Sequence, residues 1–326
     1  MTSEGARMKV AAIDCGTNSI RLLIAELSPE AGGVHMRDVR REMRIVRLGQ
    51  DVDRTKQFHP DALARTFEAA KEYAGLIRAE GVQRIRFGAT SATRDATNRE
   101  EFIAGIRRLL GVTPEVITGE EEARLSFIGA SRVISDGAAN VLVVDLGGGS
   151  TEFVLGRGDT TRAAVSIDVG SVRITERHLA ADPPSDAEIA NARTDVRAAI
   201  AEVAGAIPLA EVDTLVGTAG TITTVTAHAL GLNSYEPNRI NGAKLPVSAI
   251  DSACNDLLTL TRARRAALGF MHPGRVDVIG GGALIWQEVT HMVAEAATSA
   301  GRSLGAVVTS EHDILDGLAL SLFIGD

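Results

Sequence analysis

Apolar and polar positions along the chain run through the same pattern twice. MKVAAID is a short apolar run closed by Asp14, and IRLLIAEL follows it across a short polar loop, so the two predict a hairpin of buried strands. HMRDVRREMRIVRLG supplies a third strand. Helical spacing runs from Pro60 to Glu80, with Asp61 placed to favour the first turn. VQRIRFGAT predicts a strand ending in small residues, Asn98 to Leu110 a helix, PEVIT a short strand, and Glu120 to Ala130 another helix. The pattern then restarts. NVLVVDL predicts a strand, TEFVLG its hairpin partner, RAAVSIDVG a third strand, and Pro184 to Ala204 a helix. VDTLVGTAGTITTVTAHAL reads as a strand, a Gly-rich turn and a helix. The remainder is mostly helical, with SLGAVVTS as a late strand before a final helix at DILDGLALSLF.

Strand and helix alternate, so the fold class is α/β. Asp14 aligns with Asp145, Gly16 with Gly147 and Ser19 with Ser150. Two halves that open alike predict a duplicated domain with a cleft between the copies. The expected division is 1–130 and 131–326, with the last helix, 312–323, free to pack back on the first domain. A length of 326 residues also favours two cores over one. Aromatics make up only 3% of the chain, so those cores must be built from Val, Ile, Leu and Ala. A net charge of -8 argues against a general nucleic-acid binder, and an anionic ligand must be held by local groups. Those groups are mostly arginines, since the only lysines are Lys9, Lys56, Lys71 and Lys244. Cys15 and Cys254 lack metal-ligand spacing, which fits a reduced, cytoplasmic setting. With Glu4 early and Asp14 interrupting the one candidate apolar run, neither a signal peptide nor a membrane span is expected.

The turns carry the candidate chemistry. Glycine lets the backbone approach a ligand closely, and converging N–H groups make a nest for phosphate oxygens. In the second turn the donors are Gly147, Gly148, Gly149, Ser150 and Thr151; the first brings Asp14, Gly16, Thr17, Asn18 and Ser19 to the same task. One such loop reads equally as a plain hairpin turn; two matched copies argue for phosphate. An Asp at a strand end is placed to hold a hard cation, and Asp145 and Glu152 flank the second loop. Arg21 stands where the second copy has Glu152, so one loop is expected to grip phosphate and the other to carry metal. A third turn, with Gly217, Thr218 and Gly220, opens a helix whose N-terminus attracts anions or is simply capped. Glu120, Glu121 and Glu122 start a helix and favour its dipole; one facing a phosphate can position or deprotonate water. Arg94, just past a strand end, is placed to clamp a phosphate or to lie on the surface. Thr261 to Arg265 and Arg275 are basic candidates to line a path for an anionic ligand, the former competing with a solvated helix face. His272 and His312 read as structural or surface groups, and Cys15 is not read as a nucleophile.

Taken together, IDCGTNSIRLLI, ATSATRDATN, ITGEEEARLSF and VVDLGGGSTEFVLG, with GTAGTITT and HPGRVDVIGGGALI downstream, resemble the exopolyphosphatase and guanosine pentaphosphate phosphohydrolase family. The resemblance spans nearly the whole chain. It implies two actin-like ATPase (ribonuclease H-like) domains with an active cleft, and Mg²⁺-dependent removal of terminal phosphates, with Mn²⁺ as the substitute ion. It assigns Glu122 as the catalytic base, Asp145 and Glu152 to the metal, and the first loop, Arg94 and Gly147 to Ser150 to phosphate. The implied substrate is inorganic polyphosphate, the alternative guanosine pentaphosphate, with guanosine tetraphosphate as a further ligand. A non-hydrolytic ATP-binding switch of the same fold is the competing class. No nucleic acid and no membrane are expected as partners, and a homodimer is among the states open to a short form. The chain departs from the family where many members carry Arg-Glu-Gly in the last helix; here stand Leu315, Asp316 and Gly317.

Overall fold

Both opening runs pair as hairpins, and each hairpin seeds a sheet. The computed structural model describes residues 7–30, 33–158, 160–304 and 306–324; Glu4, and Gly305 in the late strand, lie outside them. β1 (Met8–Cys15) pairs antiparallel with β2 (Ser19–Glu30), and β2 with β3 (Gly33–Ile45). α1 (Val52–Thr55) and α2 (Pro60–Ala79) lead to β4 (Arg84–Ala89), which returns parallel to β1. α3 (Ser91–Asp95) and α4 (Arg99–Leu110) precede β5 (Glu115–Val116), parallel to β4. The resulting order is β3-β2-β1-β4-β5.

After α5 (Gly119–Ala130) the design repeats. β6 (Val141–Leu146), β7 (Thr151–Arg157) and β8 (Thr160–Ile167) form an antiparallel meander. α6 (Ser171–His178) and α7 (Asp186–Ala206) follow, then β9 (Thr214–Thr218), parallel to β6. α8 (Ala219–Ala229), α9 (Pro237–Ile240), β10 (Lys244–Leu245), α10 (Val247–Thr259), α11 (Arg262–Ala266) and α12 (Ile279–Ser299) lead to β11 (Val307–Thr309) and α13 (Ile314–Ile324). The second sheet runs β10-β11-β9-β6-β7-β8. Apart from the short β10, it repeats the first strand for strand. This is a duplicated α/β arrangement. The sequence reading omits α1, α3, α6 and β10, all short elements without a long apolar period.

Alternation along β6 explains its continuous apolar run. Leu142 and Val144 face a core built with α7, α8 and α12; Val141 and Val143 face Ala123, Phe127 and Ala130 of α5. The first core packs β1, β2 and β4 against α2 and α4, and α13 also packs on those strands.

The chain divides into two compact units. One takes the residues up to Thr118 and those from Ile314 on; the other runs Gly119–Asp313. The division thus falls at 118/119, where the sequence reading puts it at 130. The physical reason is α5, whose apolar face is buried on β6 and β7. The helix after β5 therefore belongs to the second unit, and the helix after β11 belongs to the first.

Candidate active site

Strand alternation puts Asp145 on the face of Val141 and Val143, and Glu152 on the face of Val154, the face that α5 covers. The two carboxylates are direct cross-strand partners in the β6–β7 ladder. They are 6% and 1% exposed. Hydroxyls hold them: Ser126 Oγ donates to Asp145 Oδ2 at 2.5 Å, and Ser166 Oγ to Glu152 Oε1 at 2.8 Å. Among the three glutamates of α5, Glu120 is exposed, Glu121 bridges Arg124 at 2.9 Å, and only Glu122 is buried. Glu122 and Ser126 lie one turn apart, on one helix face. Gly119 lets this acidic start lie against β8, since a Cβ there would come within 2.7 Å of Ser166 Cβ. Burial pushes the Glu152 carboxyl well above the usual range, and the charges of Glu122 and then Asp145 push it further. Hydrogen bonds from Ser150 and Ser166 oppose the shift.

This donor set suits a hard divalent cation. Among the described residues, no three His, Cys, Asp or Glu side chains form a ready-made metal cage. Mg²⁺ does not need one, because it takes one or two carboxylates and completes its shell with water and phosphate oxygens. Asp145 and Glu152, opposed and buried, fit that habit.

The two Gly turns share one geometry, each within its own unit. Gly16 N–H donates to Ser19 O at 3.0 Å, and Gly147 N–H to Ser150 O at 3.0 Å. In both, the segment after the third strand donates to the turn's carbonyls. Gly49 N–H reaches Thr17 O at 2.8 Å, while Val46 and Arg47 N–H reach Asn18 O at 3.1 and 2.9 Å. Ser171 N–H reaches Gly147 O at 3.0 Å; Val172 and Arg173 N–H reach Gly148 O at 2.8 and 3.2 Å. Arg173 Nε donates to Gly149 O at 2.8 Å. Gly170 permits this, because a Cβ there would overlap the Gly148–Gly149 peptide. With the carbonyls engaged, the N–H groups of Gly148 and Gly149 have no partner among the described residues. That leaves them available to an anion.

The turns differ in charge where the sequence differs. Arg21 Nε and a terminal nitrogen bond Asp14 Oδ2 at 3.0 and 2.7 Å across the β1–β2 ladder. The first unit thus holds an ion pair where the second holds two carboxylates. Asp14 sits among the phosphate candidates as the counter-ion of Arg21. Arg94, half-buried on α3, donates to Ile117 O at 3.1 Å. Thr90 N–H donates to Cys15 O at 3.1 Å and ties the start of α3 to the first turn. The Cys15 thiol is buried and its pKa raised by burial and then by Asp14, which keeps it protonated.

Other expected site residues have packing roles. Thr151 donates its hydroxyl to Val169 O at 2.6 Å. Gly217 lies inside β9, where a Cβ would meet the Trp286 ring at 2.7 Å. The Thr218 hydroxyl is directed at the carbonyls of Ser310 and His312, at 3.1 and 2.9 Å. Gly220 makes room for the Arg275 guanidinium. Arg262 and Arg264 are exposed, as a solvated helix face requires, whereas Arg265 is buried and donates to Leu257 O and Leu258 O at 2.8 Å, capping α10. The sequence reading also passes over Ser126, Ser166, Gly170 and Arg173. Only Ser126, one helical turn after Glu122, carries a local signal.

The chain matches the Ppx/GppA phosphatase family model over residues 28–315. It is 47% identical over 322 residues to Exopolyphosphatase 2 of Mycobacterium tuberculosis, covering 97% of this chain and 99% of that protein. The crystal structure of an exopolyphosphatase-like protein is similar to it at a TM-score of 0.92 and 46% identity, covering 97% of this chain and 98% of the other. The Aquifex aeolicus PPX-GPPA enzyme is similar at a TM-score of 0.77 and 30% identity, covering 97% of this chain and 100% of the other.

Proposed function

We propose, from the premise that the chain belongs to the Ppx/GppA phosphatase family, that it is an exopolyphosphatase releasing orthophosphate from the end of inorganic polyphosphate. The observation that carries this reading is the buried trio of Glu122, Asp145 and Glu152 beside a Gly turn with free N–H groups. Asp145 and Glu152 would hold Mg²⁺, which supplies charge neutralisation at the transferring phosphoryl group when bound. Gly148 and Gly149 donate N–H groups to phosphate oxygens. Glu122 orients a water and accepts its proton as the terminal anhydride breaks. Arg94 and the first turn are the phosphate candidates of the other unit. Since the net charge is -8, binding depends on these local donors and weakens with salt. A cytoplasmic setting belongs to the same proposal, supported by two free buried cysteines. No helix among the described residues is long and apolar enough to cross a membrane.

Glu122→Gln is the test. Phosphate release from polyphosphate is expected to fall by about 10²-fold or more, while calorimetric tripolyphosphate binding stays near wild type. Turnover close to wild type would remove Glu122 as the base. The wild-type protein is expected to release phosphate faster from polyphosphate than from guanosine pentaphosphate; the opposite order would make the nucleotide its substrate.

A further inference from the structure

A peptide group joins one residue's C=O to the next residue's N–H. A hydrogen bond to the carbonyl therefore orients and polarises the amide on the other side. In the second Gly turn, three successive carbonyls are tied in this way. Backbone N–H groups hold Gly147 O and Gly148 O, but Gly149 O is held by the Arg173 side chain, Nε to O at 2.8 Å. The N–H sharing that last peptide is Ser150's. In the first turn the matching carbonyl, Asn18 O, accepts two backbone N–H groups instead. The second turn places the Arg173 guanidinium behind its last peptide. Arg173 is 7% exposed, and the Asp168 carboxylate, 4.0 Å from its terminal nitrogen, is 78% exposed. The guanidinium is thus buried behind the turn, and its bond to Gly149 O is charge-assisted.

We infer that Arg173 is a positioning residue for phosphate binding: its charge-assisted bond to Gly149 O aligns the Gly149–Ser150 peptide and strengthens Ser150 N–H as a donor to a substrate phosphate. This rests on the assignment of the turn to phosphate made above. The guanidinium acts through the backbone and touches no substrate. Removing its charge should therefore weaken phosphate binding and leave the water-activating step in place.

The test compares Arg173→Lys with Arg173→Met, in steady-state release from polyphosphate and in tripolyphosphate calorimetry on a Glu122→Gln background. Arg173→Met is expected to raise KM and weaken tripolyphosphate binding about tenfold, with kcat within about threefold, the size of one charge-assisted hydrogen bond. Arg173→Lys keeps the cation and is expected to stay within about threefold of wild type in both readouts. If Arg173→Met does not fold, Arg173→Gln, which keeps a donor without the charge, takes its place. Equal losses in the charged and uncharged variants, or a loss in kcat with KM unchanged, overturn the inference. If wild-type protein releases no phosphate from polyphosphate while tripolyphosphate binding still depends on the charge at 173, the polyphosphate reading fails and the inference stands.

Discussion

A carboxylate facing a carboxylate across a strand pair costs stability, and β6–β7 keeps such a pair buried at Asp145 and Glu152. Function is the reason to tolerate it. Glu152→Gln should therefore stabilise the metal-free protein by about 1 kcal/mol, a rise of roughly 2–4 °C in Tm, while phosphate release falls at least about 10²-fold. An unchanged or lower Tm in a calorimetric melt would mean that the pair is not strained. At this scale the sequence is informative where the signal is local. Three glutamates before Ala123 announce Glu122, and the change from Arg21 to Glu152 announces that the turns differ in charge. Which face each residue joins is less legible. Arg21 reads as a free grip on phosphate until the ladder register sets it opposite Asp14. Gly217 and Gly220 read as phosphate donors, yet the atoms that require them to be glycine belong to Trp286 and Arg275, far along the chain.

Hairpins and long helices are legible because their causes are local: alternation, turn residues and caps. α7 is the clearest case. Ser185 Oγ accepts from Glu188 N–H, and the Glu188 carboxylate accepts from Ser185 N–H at 2.8 Å, a closed capping box. The Ser185 and Ala181 N–H groups hold the Glu188 carboxyl at about 2, against an ordinary 4.5. A lowered folded pKa gives stability that is complete above the ordinary value and lost as pH falls from about 4.5 towards about 2. Acid titrations of Tm should therefore show a shallower fall over this window in Glu188→Gln than in wild type, and identical slopes would contradict the assignment. Ser185→Ala should cost about 1 kcal/mol at neutral pH. By contrast, α6 has no such announcement. SVRITERH is short and largely polar, and its place is set by Gly170 against the turn two strands earlier.

The chain leaves its first unit after Thr118 and rejoins it at Ile314. The repeat marks where the strand pattern restarts, but packing decides which unit a connecting helix joins, so α5 and Glu122 fall in the second. α13 completes the first. Leu318 packs against Gly88, and Asp316, fully buried, takes two bonds from Arg41 at 2.7 and 3.2 Å. The departure at Leu315–Gly317 thus puts its carboxylate to work holding α13 to β3. Ending the chain at Asp313 should strip this cover from β1, β2 and β4. Their amides are expected to lose hydrogen-exchange protection, while those of β6 and β7 keep it. Equal loss in both sheets would mean that α13 supports more than its own unit.

The chain has a single tryptophan, Trp286, 1% exposed in the second unit and seated where Gly217 leaves room for its ring. Its indole is therefore a native optical probe. Ultraviolet emission excited at the red edge of absorption follows the environment of the unit that holds Glu122, Asp145 and Glu152, whereas circular dichroism averages over both. Recorded on one sample, the two signals resolve the melting of that unit from the rest without any attached dye.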